Sequence, residues 1–229
     1  MVSKNSEKKA SRNIFVKPIV YGNTATKLKK PIIKRQNEPN HTFSWKLYVK
    51  PYLKEDMSAF VSKVQFKLDE SFDNPVRTVF KPPYEVCETG WGEFDVWVKI
   101  YFKDANEKPV SFYHRINLYP SDFNILVNNR TVAIESYDEI IFPNPSKAMR
   151  KFLVTEKLSN DLSPSEHIFN FKRIEENLVQ GLVKAQEKAI KEIEVTSEII
   201  KKKENDIQVL KNALENHFQS NALEVLNVD

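Results

Sequence analysis

The stretch Phe94–Phe102, FDVWVKIYF, decides the fold class. Phe94, Val96, Val98, Ile100 and Phe102 occupy every second position, with Asp95, Trp97, Lys99 and Tyr101 between them. Successive strand side chains point to opposite faces, so this is a strand with one buried face and one half-polar face. The same period recurs on both sides of it. Thr42–Val49 (TFSWKLYV) alternates, and so does Phe60–Leu68 (FVSKVQFKL), whose apolar points are Val61, Val64, Phe66 and Leu68. The phase slip between Val61 and Val64 marks a bulge or a helical start. Val76–Phe80 and Tyr84–Glu88 read as short strands around Pro82-Pro83, and VSFYHRINL and TVAIESYDEIIF add two more. Asn13–Tyr21 (NIFVKPIVY) reads as a first strand, which Pro18 assigns to a sheet edge. The basic stretch TKLKKPIIKRQNEPN then reads as a loop, and its Lys/Arg cluster has the composition of a nuclear-import signal.

Seven to eight short antiparallel strands with turn signals between them, and no helical pattern among them, predict an immunoglobulin-like β-sandwich. The antibody cysteine pair is absent, so that likeness is architectural. The predicted organisation is a disordered basic N-terminus over 1–12, the sandwich over 13–145, a partly helical connector over 146–168 and a long helix over 169–226. The helix carries a heptad pattern. Position a falls at Val179, Gln186, Ile193, Ile200, Ile207 and Leu214. Position d falls at Leu182, Ala189, Thr196, Lys203, Leu210 and His217. Eight of these twelve are apolar, which predicts a coiled coil. The polar d positions Thr196, Lys203 and His217 suit a chosen partner better than a simple homodimer. Ile193, Ile200, Ile207, Leu210 and Leu214 are therefore the predicted partner-binding residues, and the rival reading is a helix folded back on the sandwich. Favourably ordered pairs such as Glu187–Lys191 and Glu198–Lys202 should support the helix.

Composition narrows the function. No apolar run approaches 18 residues, so no membrane partner is expected, and the N-terminus lacks the apolar core of a secretory signal. The single Cys87 excludes an internal disulfide framework and a cysteine-based zinc site; it reads as a core residue of its strand. Residues 161–229 carry 9 Lys/Arg against 13 Asp/Glu, which leaves 26 against 18 in residues 1–160. A basic front half suits a polyanionic neighbour such as chromatin, and it leaves direct DNA contact as an alternative. His41, His114, His167 and His217 are scattered, and no HExxH, Gly-x-Ser-x-Gly or phosphate-cradling loop occurs. Adjacent carboxylates such as Asp69-Glu70 and Asp138-Glu139 point to opposite strand faces. The expectation is a protein that is not an enzyme and has no metal or cofactor.

Three short stretches at strand ends remain: HTFSW (41–45), LDESFDNP (68–75) and ETGWGEF (88–94). Strand ends cluster in a sandwich, and recognition usually resides there. Together they supply aromatic rings, the Ser71 hydroxyl and two of the chain's four glycines. Phe43 and Trp45 alternate with polar neighbours, so one of them is expected in the core.

HTFSWKLYV, VQFKLDESFDNPVRTVFKPPYEVCETGWGEF and YHRINL, in this order and spacing, resemble the YEATS domain over about residues 13–145. With the added C-terminal helix, the chain is most similar to the small YEATS subunit shared by a remodeller that exchanges variant histones and a histone acetyltransferase complex. The resemblance implies a nuclear reader of acylated lysine on histone tails. Its alternative is an assembly scaffold indifferent to acylation. Carried over by motif, Trp91 and Phe72 would sandwich the acyl amide. His41 would border it, and Ser71 and the Trp91 N–H would hydrogen-bond it. Gly90 and Gly92 would admit the close approach of the peptide. Phe94 would buttress the slot, and Asp69 would lie on the rim toward a basic tail. Relatives often carry His at the position of Phe43, vary between Phe and His at His41, and some carry His at Asp69; these differences bear on acyl-chain and tail preference.

Overall fold

A computed structural model of the chain describes residues 14–34, 39–121, 125–127, 130–154 and 163–226. The expected basic N-terminal segment lies outside them, as do residues 35–38 of the basic stretch. The described residues contain nine strands: β1 (Ile14–Ile32), β2 (His41–Pro51), β3 (Val61–Lys67), β4 (Val76–Val79), β5 (Tyr84–Gly90), β6 (Asp95–Phe102), β7 (Val110–Arg115), β8 (Ile125–Val127) and β9 (Thr131–Pro143). Two helices follow, α1 (Lys147–Val154) and α2 (Phe171–Leu226). One sheet has the order β5-β2-β1-β9-β8 and the other β4-β3-β6-β7, with every pairing antiparallel. This is the expected sandwich, mainly β with one long C-terminal helix. The ninth strand is the three-residue β8, too short to stand out in a sequence.

Alternation sets the core. Trp45, Leu47 and Val49 of β2, Val64 and Phe66 of β3, Val96, Val98 and Ile100 of β6, and Ile140 and Phe142 of β9 are buried between the sheets. Phe43 is buried as well as Trp45. Met149 and Leu153 add the inner side of α1. The Ser146 hydroxyl starts that helix by accepting from the Met149 N–H at 2.9 Å. The phase slip after Val61 is a bulge, since the β3–β6 register shifts between Val61 and Lys63.

Several expectations are corrected. Pro18 does not mark an edge, because β1 is the central strand between β2 and β9. In an antiparallel ladder the N–H and C=O of one residue face the same neighbour. Pro18 O accepts from the Tyr52 N–H at 3.0 Å, so the missing proline N–H faces the side where β2 has already ended at Pro51. The ladder to β9 loses nothing. The first part of the basic stretch is strand rather than loop: β1 continues to Ile32, which pairs with His41 after a register shift. Cys87 is exposed rather than core. It lies between the buried Tyr84 and Val86 on one side and the half-buried Glu88 on the other, in the outward phase of β5. Burial pushes its thiol up, with Glu85 adding to the effect, so it is not an activated nucleophile.

Two buried polar centres anchor the five-stranded sheet. Asn23 Oδ1 of β1 accepts from His114 Nε2 at 2.9 Å and from the Asn117 N–H at 3.0 Å, while Asn23 Nδ2 donates to Asn117 O at 2.9 Å. One step away on β1, Gly22 faces β9 so closely that a Cβ would lie 2.0 Å from Ile134 O. Its β9 partner Glu135 is the second centre. Glu135 Oε1 accepts from Tyr48 Oη at 2.8 Å and from Lys50 Nζ at 2.7 Å; Oε2 accepts from the N–H groups of Ile168 and Phe169 at 2.8 and 3.2 Å. The segment before α2 is thereby tied to the sheet, helped by Ser165 N–H donating to Tyr52 O.

The chain divides into two compact units, residues 1–169 and 170–229. In the second, α2 runs 56 residues. Ile193, Ile200, Ile207, Leu210 and Leu214 are all more than half exposed along it. The expected pairs Glu187–Lys191 and Glu198–Lys202 do not form. Lys188–Glu192 and Lys203–Asp206 do, each at 3.9 Å, as exposed long side chains choose among neighbours of nearly equal energy.

Candidate functional site

Crossing from β5 in one sheet to β6 in the other requires a loop at the end of the sandwich, and ETGWGEF is that loop. Gly90 ends β5 opposite Phe43 of β2, so the loop leaves beside the start of β2, where His41 sits. The β3–β4 loop brings Asp69, Ser71 and Phe72 to the same end. A cleft of about 290 Å³ lies between them. His41, Asp69, Ser71 and Phe72 line it from two elements; Gly90, Trp91, Gly92 and Phe94 line it from the third. Pro39 and Glu93 complete the wall. All eight residues singled out at this end of the chain thus meet at one cavity.

The floor is aromatic. Phe72 and Phe94 have ring centroids 5.2 Å apart at 41°, and both rest on Trp45, at 5.8 and 5.7 Å in edge-on geometry. Such contacts hold rings rigidly in place. Trp91 is different: half of it is exposed, and no ring contact joins it to Phe72 among the described residues. An indole standing free beside a crevice is not core packing.

The Trp91 loop is held from the far side. Tyr119 Oη donates to Trp91 O at 3.2 Å, and the Tyr119 ring meets Phe43 edge-on at 5.1 Å. Glu93 Oε1 accepts from the N–H groups of Leu118 and Tyr119 at 2.9 and 3.2 Å. The Ile116 N–H donates to Phe94 O at 2.8 Å. Tyr119 and Glu93 are therefore positioning residues that the sequence reading missed. Glu93 stands inside ETGWGEF, but nothing local indicates that this residue of the cleft wall also caps a distant backbone segment.

The polar groups divide between wall and rim. His41 is buried and its Nδ1 lies 2.8 Å from Thr89 Oγ1, which fixes the ring beside the cleft. Asp69 accepts from the Ser71 N–H at 3.0 Å. That bond and a second from the Ser71 hydroxyl hold the Asp69 carboxyl below its ordinary range. The two glycines differ in origin. A Cβ on Gly90 would come within 3.1 Å of Trp45 Nε1, so this glycine makes room for the floor. A Cβ on Gly92 would meet no atom within 4 Å, so packing makes no demand there. Neither has positive φ. The Trp45 indole N–H is buried without a partner among the described residues.

A larger cavity of about 630 Å³ lies at the far ends of β2 and β5. Its lysines are already paired, Lys46 with Glu85 and Lys50 with Glu135. It lacks the exposed aromatic wall that distinguishes the first. No group of His, Cys, Asp or Glu side chains among the described residues could hold a metal ion.

The YEATS family model matches residues 40–120. The Protein AF-9 homolog of Saccharomyces cerevisiae is 35% identical over 223 residues, covering 90% of this chain and 92% of its own length. The solved Yaf9 YEATS domain bound to H3K27ac is 40% identical with a TM-score of 0.55, covering 65% of this chain and 99% of that one. The Yaf9 YEATS domain recognizing an H3K122suc peptide is 38% identical with a TM-score of 0.53, covering 65% and 98%.

Proposed function

Because the chain belongs to the YEATS family, we propose that it is a nuclear histone-tail reader that holds acylated lysine between Trp91 and Phe72 and serves chromatin complexes as a subunit without enzymatic activity. The observation that carries this reading is the half-exposed Trp91 beside an aromatic-floored cleft. Support comes from relatives of this fold whose structures hold acylated histone H3 peptides.

The chemistry follows from charge and shape. Acylation replaces a hydrated ammonium by a flat neutral amide with an apolar tip. Burying an unpaired ammonium costs several kcal/mol. A buried amide costs about 1–3 kcal/mol when unpaired and recovers much of that when bonded. In the cleft, the Trp91 N–H has no partner among the described residues and would donate to the acyl carbonyl. The Ser71 hydroxyl already donates to Asp69, but its oxygen can accept from the acyl N–H. Two ring faces on the amide add about 0.5–1.5 kcal/mol per contact, by analogy with aromatic pairs. The acidic group that could favour free lysine, Glu93, is occupied by backbone donors. Asp69 is an exposed residue of the cleft lining, where it would meet a basic tail. Gly92, with no neighbour at its Cβ, leaves room for the peptide backbone or for longer flat acyl groups.

One tail in one slot buries little surface, so the contact is weak alone and gains from assembly. The exposed apolar series Ile193, Ile200, Ile207, Leu210 and Leu214 would supply that assembly as one strand of a coiled coil. The reading predicts that calorimetry with an acetylated and an unmodified H3-tail peptide separates the two for the full chain. Trp91→Ala, a surface substitution, should reduce acetyl-peptide affinity roughly ten-fold while leaving the thermal midpoint unchanged. Superimposable titrations of the wild-type protein with both peptides would refute it. The acylation-independent scaffold would stand instead if removal of residues 166–229 abolished complex incorporation and Trp91→Ala changed nothing.

A further inference from the structure

The outer face of the four-stranded sheet carries a second aromatic and basic constellation. Burial of Val64, Phe66, Val96, Val98 and Ile100 turns the intervening residues of β3 and β6 outward. Register then sets Lys63 beside Tyr101, Lys67 beside Trp97, Trp97 beside Tyr113, and Lys99 beside Ser111. Trp97 is 54% and Tyr113 64% exposed, and their rings touch edge-on at 5.6 Å. Lys63 Nζ and Lys99 Nζ both stand over the one Tyr101 ring, 4.5 and 5.3 Å from its centroid. Neither they nor Lys67 has a carboxylate partner among the described residues. The one acid facing outward from these four strands, Asp95, lies 3.7 Å from Arg115.

Two ammonium groups gathered on one ring repel each other, and an anion placed between them relieves that repulsion. An acidic peptide could supply the charge, but it has no use for a bare Trp–Tyr pair one strand step away. A nucleic-acid duplex supplies phosphates, yet its base faces are already stacked on one another. An unpaired strand presents both phosphates and free base faces, which is what a sheet face studded with aromatics and lysines binds. The Ser111 hydroxyl, exposed opposite Lys99, is placed to meet a ribose 2′-hydroxyl. We propose that this face binds single-stranded RNA, with bases on Trp97 and Tyr113 and phosphates on Lys63, Lys67 and Lys99. The site shares no lining residue with the acyl-lysine cleft and does not depend on that reading.

Fluorescence anisotropy of the full chain with a twelve-nucleotide oligouridylate tests it, with DNA of the same length, single-stranded and duplex, as comparisons. The RNA should bind most tightly. The double variant Trp97→Ala/Tyr113→Ala should lose roughly ten-fold or more in affinity for it. Lys63→Ala/Lys99→Ala should flatten the slope of log affinity against log salt by about 1.4, since each single-strand phosphate contact contributes about 0.7. Trp91→Ala should leave RNA binding unchanged. All these side chains are at least partly exposed, and an unchanged thermal midpoint certifies the fold of each variant. Absence of RNA binding overturns the proposal, as does duplex or single-stranded DNA binding as tightly as RNA. So would full affinity in the aromatic double variant, or displacement of the RNA by an equally charged acidic peptide at lower concentration.

Discussion

Glu135→Ala is expected to destabilise the sandwich by about 3–5 kcal/mol, the usual cost of removing one member of a buried ion pair. The Glu135 side chain is fully buried while Lys50 is 29% exposed, so the carboxylate has no access to water. Burial would raise its pKa, but Lys50 and Tyr48 outweigh that and hold the carboxyl below its ordinary range. Burial pushes the Tyr48 hydroxyl upward, and the Glu135 charge and hydrogen bond add to that. Truncation would leave four donors facing a void: the Tyr48 hydroxyl, the Lys50 ammonium and the N–H groups of Ile168 and Phe169. Lys50 retains one further bond, to Glu166 O at 2.9 Å, which limits the loss to the lower part of the range if that segment stays in place. Urea denaturation of residues 1–169 within the full chain, followed by tryptophan fluorescence, measures the change. A loss below about 1 kcal/mol would mean that water replaces the carboxylate and that the network is not structural.

Stability is expected to fall by about 3 kcal/mol between pH 6.5 and pH 4, from His114 alone. Burial lowers its pKa from 6.5 to about 4, with Asp95 opposing the shift. The folded protein keeps the ring neutral, its Nε2 donating to Asn23, whereas the unfolded chain protonates it near the ordinary value. Between those two values the unfolded state binds more protons, so stability increases with pH there and is lost on acidification. The lowered carboxyls Glu135, Glu88 and Asp104 act in the same direction, but only as the pH falls to their ordinary values of 4.5 and 3.8 and below. The window above pH 5 therefore isolates the histidine. Chemical denaturation at pH 7 and pH 5 reads about 2 kcal/mol of the difference. His114→Gln, which keeps a donor for Asn23, should remove most of it. A wild-type protein equally stable at both values would show that the unfolded state or a solvent path compensates.

Strand faces were legible because alternation is written into the backbone. Val96, Val98 and Ile100 are buried and Trp97 is exposed as their phase requires. The long helix was legible for the same local reason, an unbroken run without proline. Where local rules went wrong, a distant partner had changed the terms. Pro18 is tolerated in a central strand because β2 has stopped before reaching it. Lys27 belongs to a strand because Phe43 of β2 supplies its backbone partner, and the side chains of Lys27, Lys29 and Lys30 stay outside. Cys87 lies outward because the register of β5 on β2 puts Val86 inward.

The cleft shows the same division. Phe72, Trp91 and the glycines announce themselves by type and spacing, and the family motif ties them together. The reason for Gly90 is Trp45, 45 positions earlier, and the residues that hold the Trp91 loop, Glu93 and Tyr119, act across a gap of 25 residues or more. Neighbours along the chain set which segments extend, which faces turn inward and which loop tips hold the aromatic rings and glycines of the cleft. Only the tertiary structure decided the strand order, the partners of Glu135 and His114, and the meeting of Lys63, Lys99, Trp97 and Tyr113 on one surface. Those relations depend on register between strands remote in sequence, and hydrogen-bonded register is set by the whole sandwich rather than by any one segment.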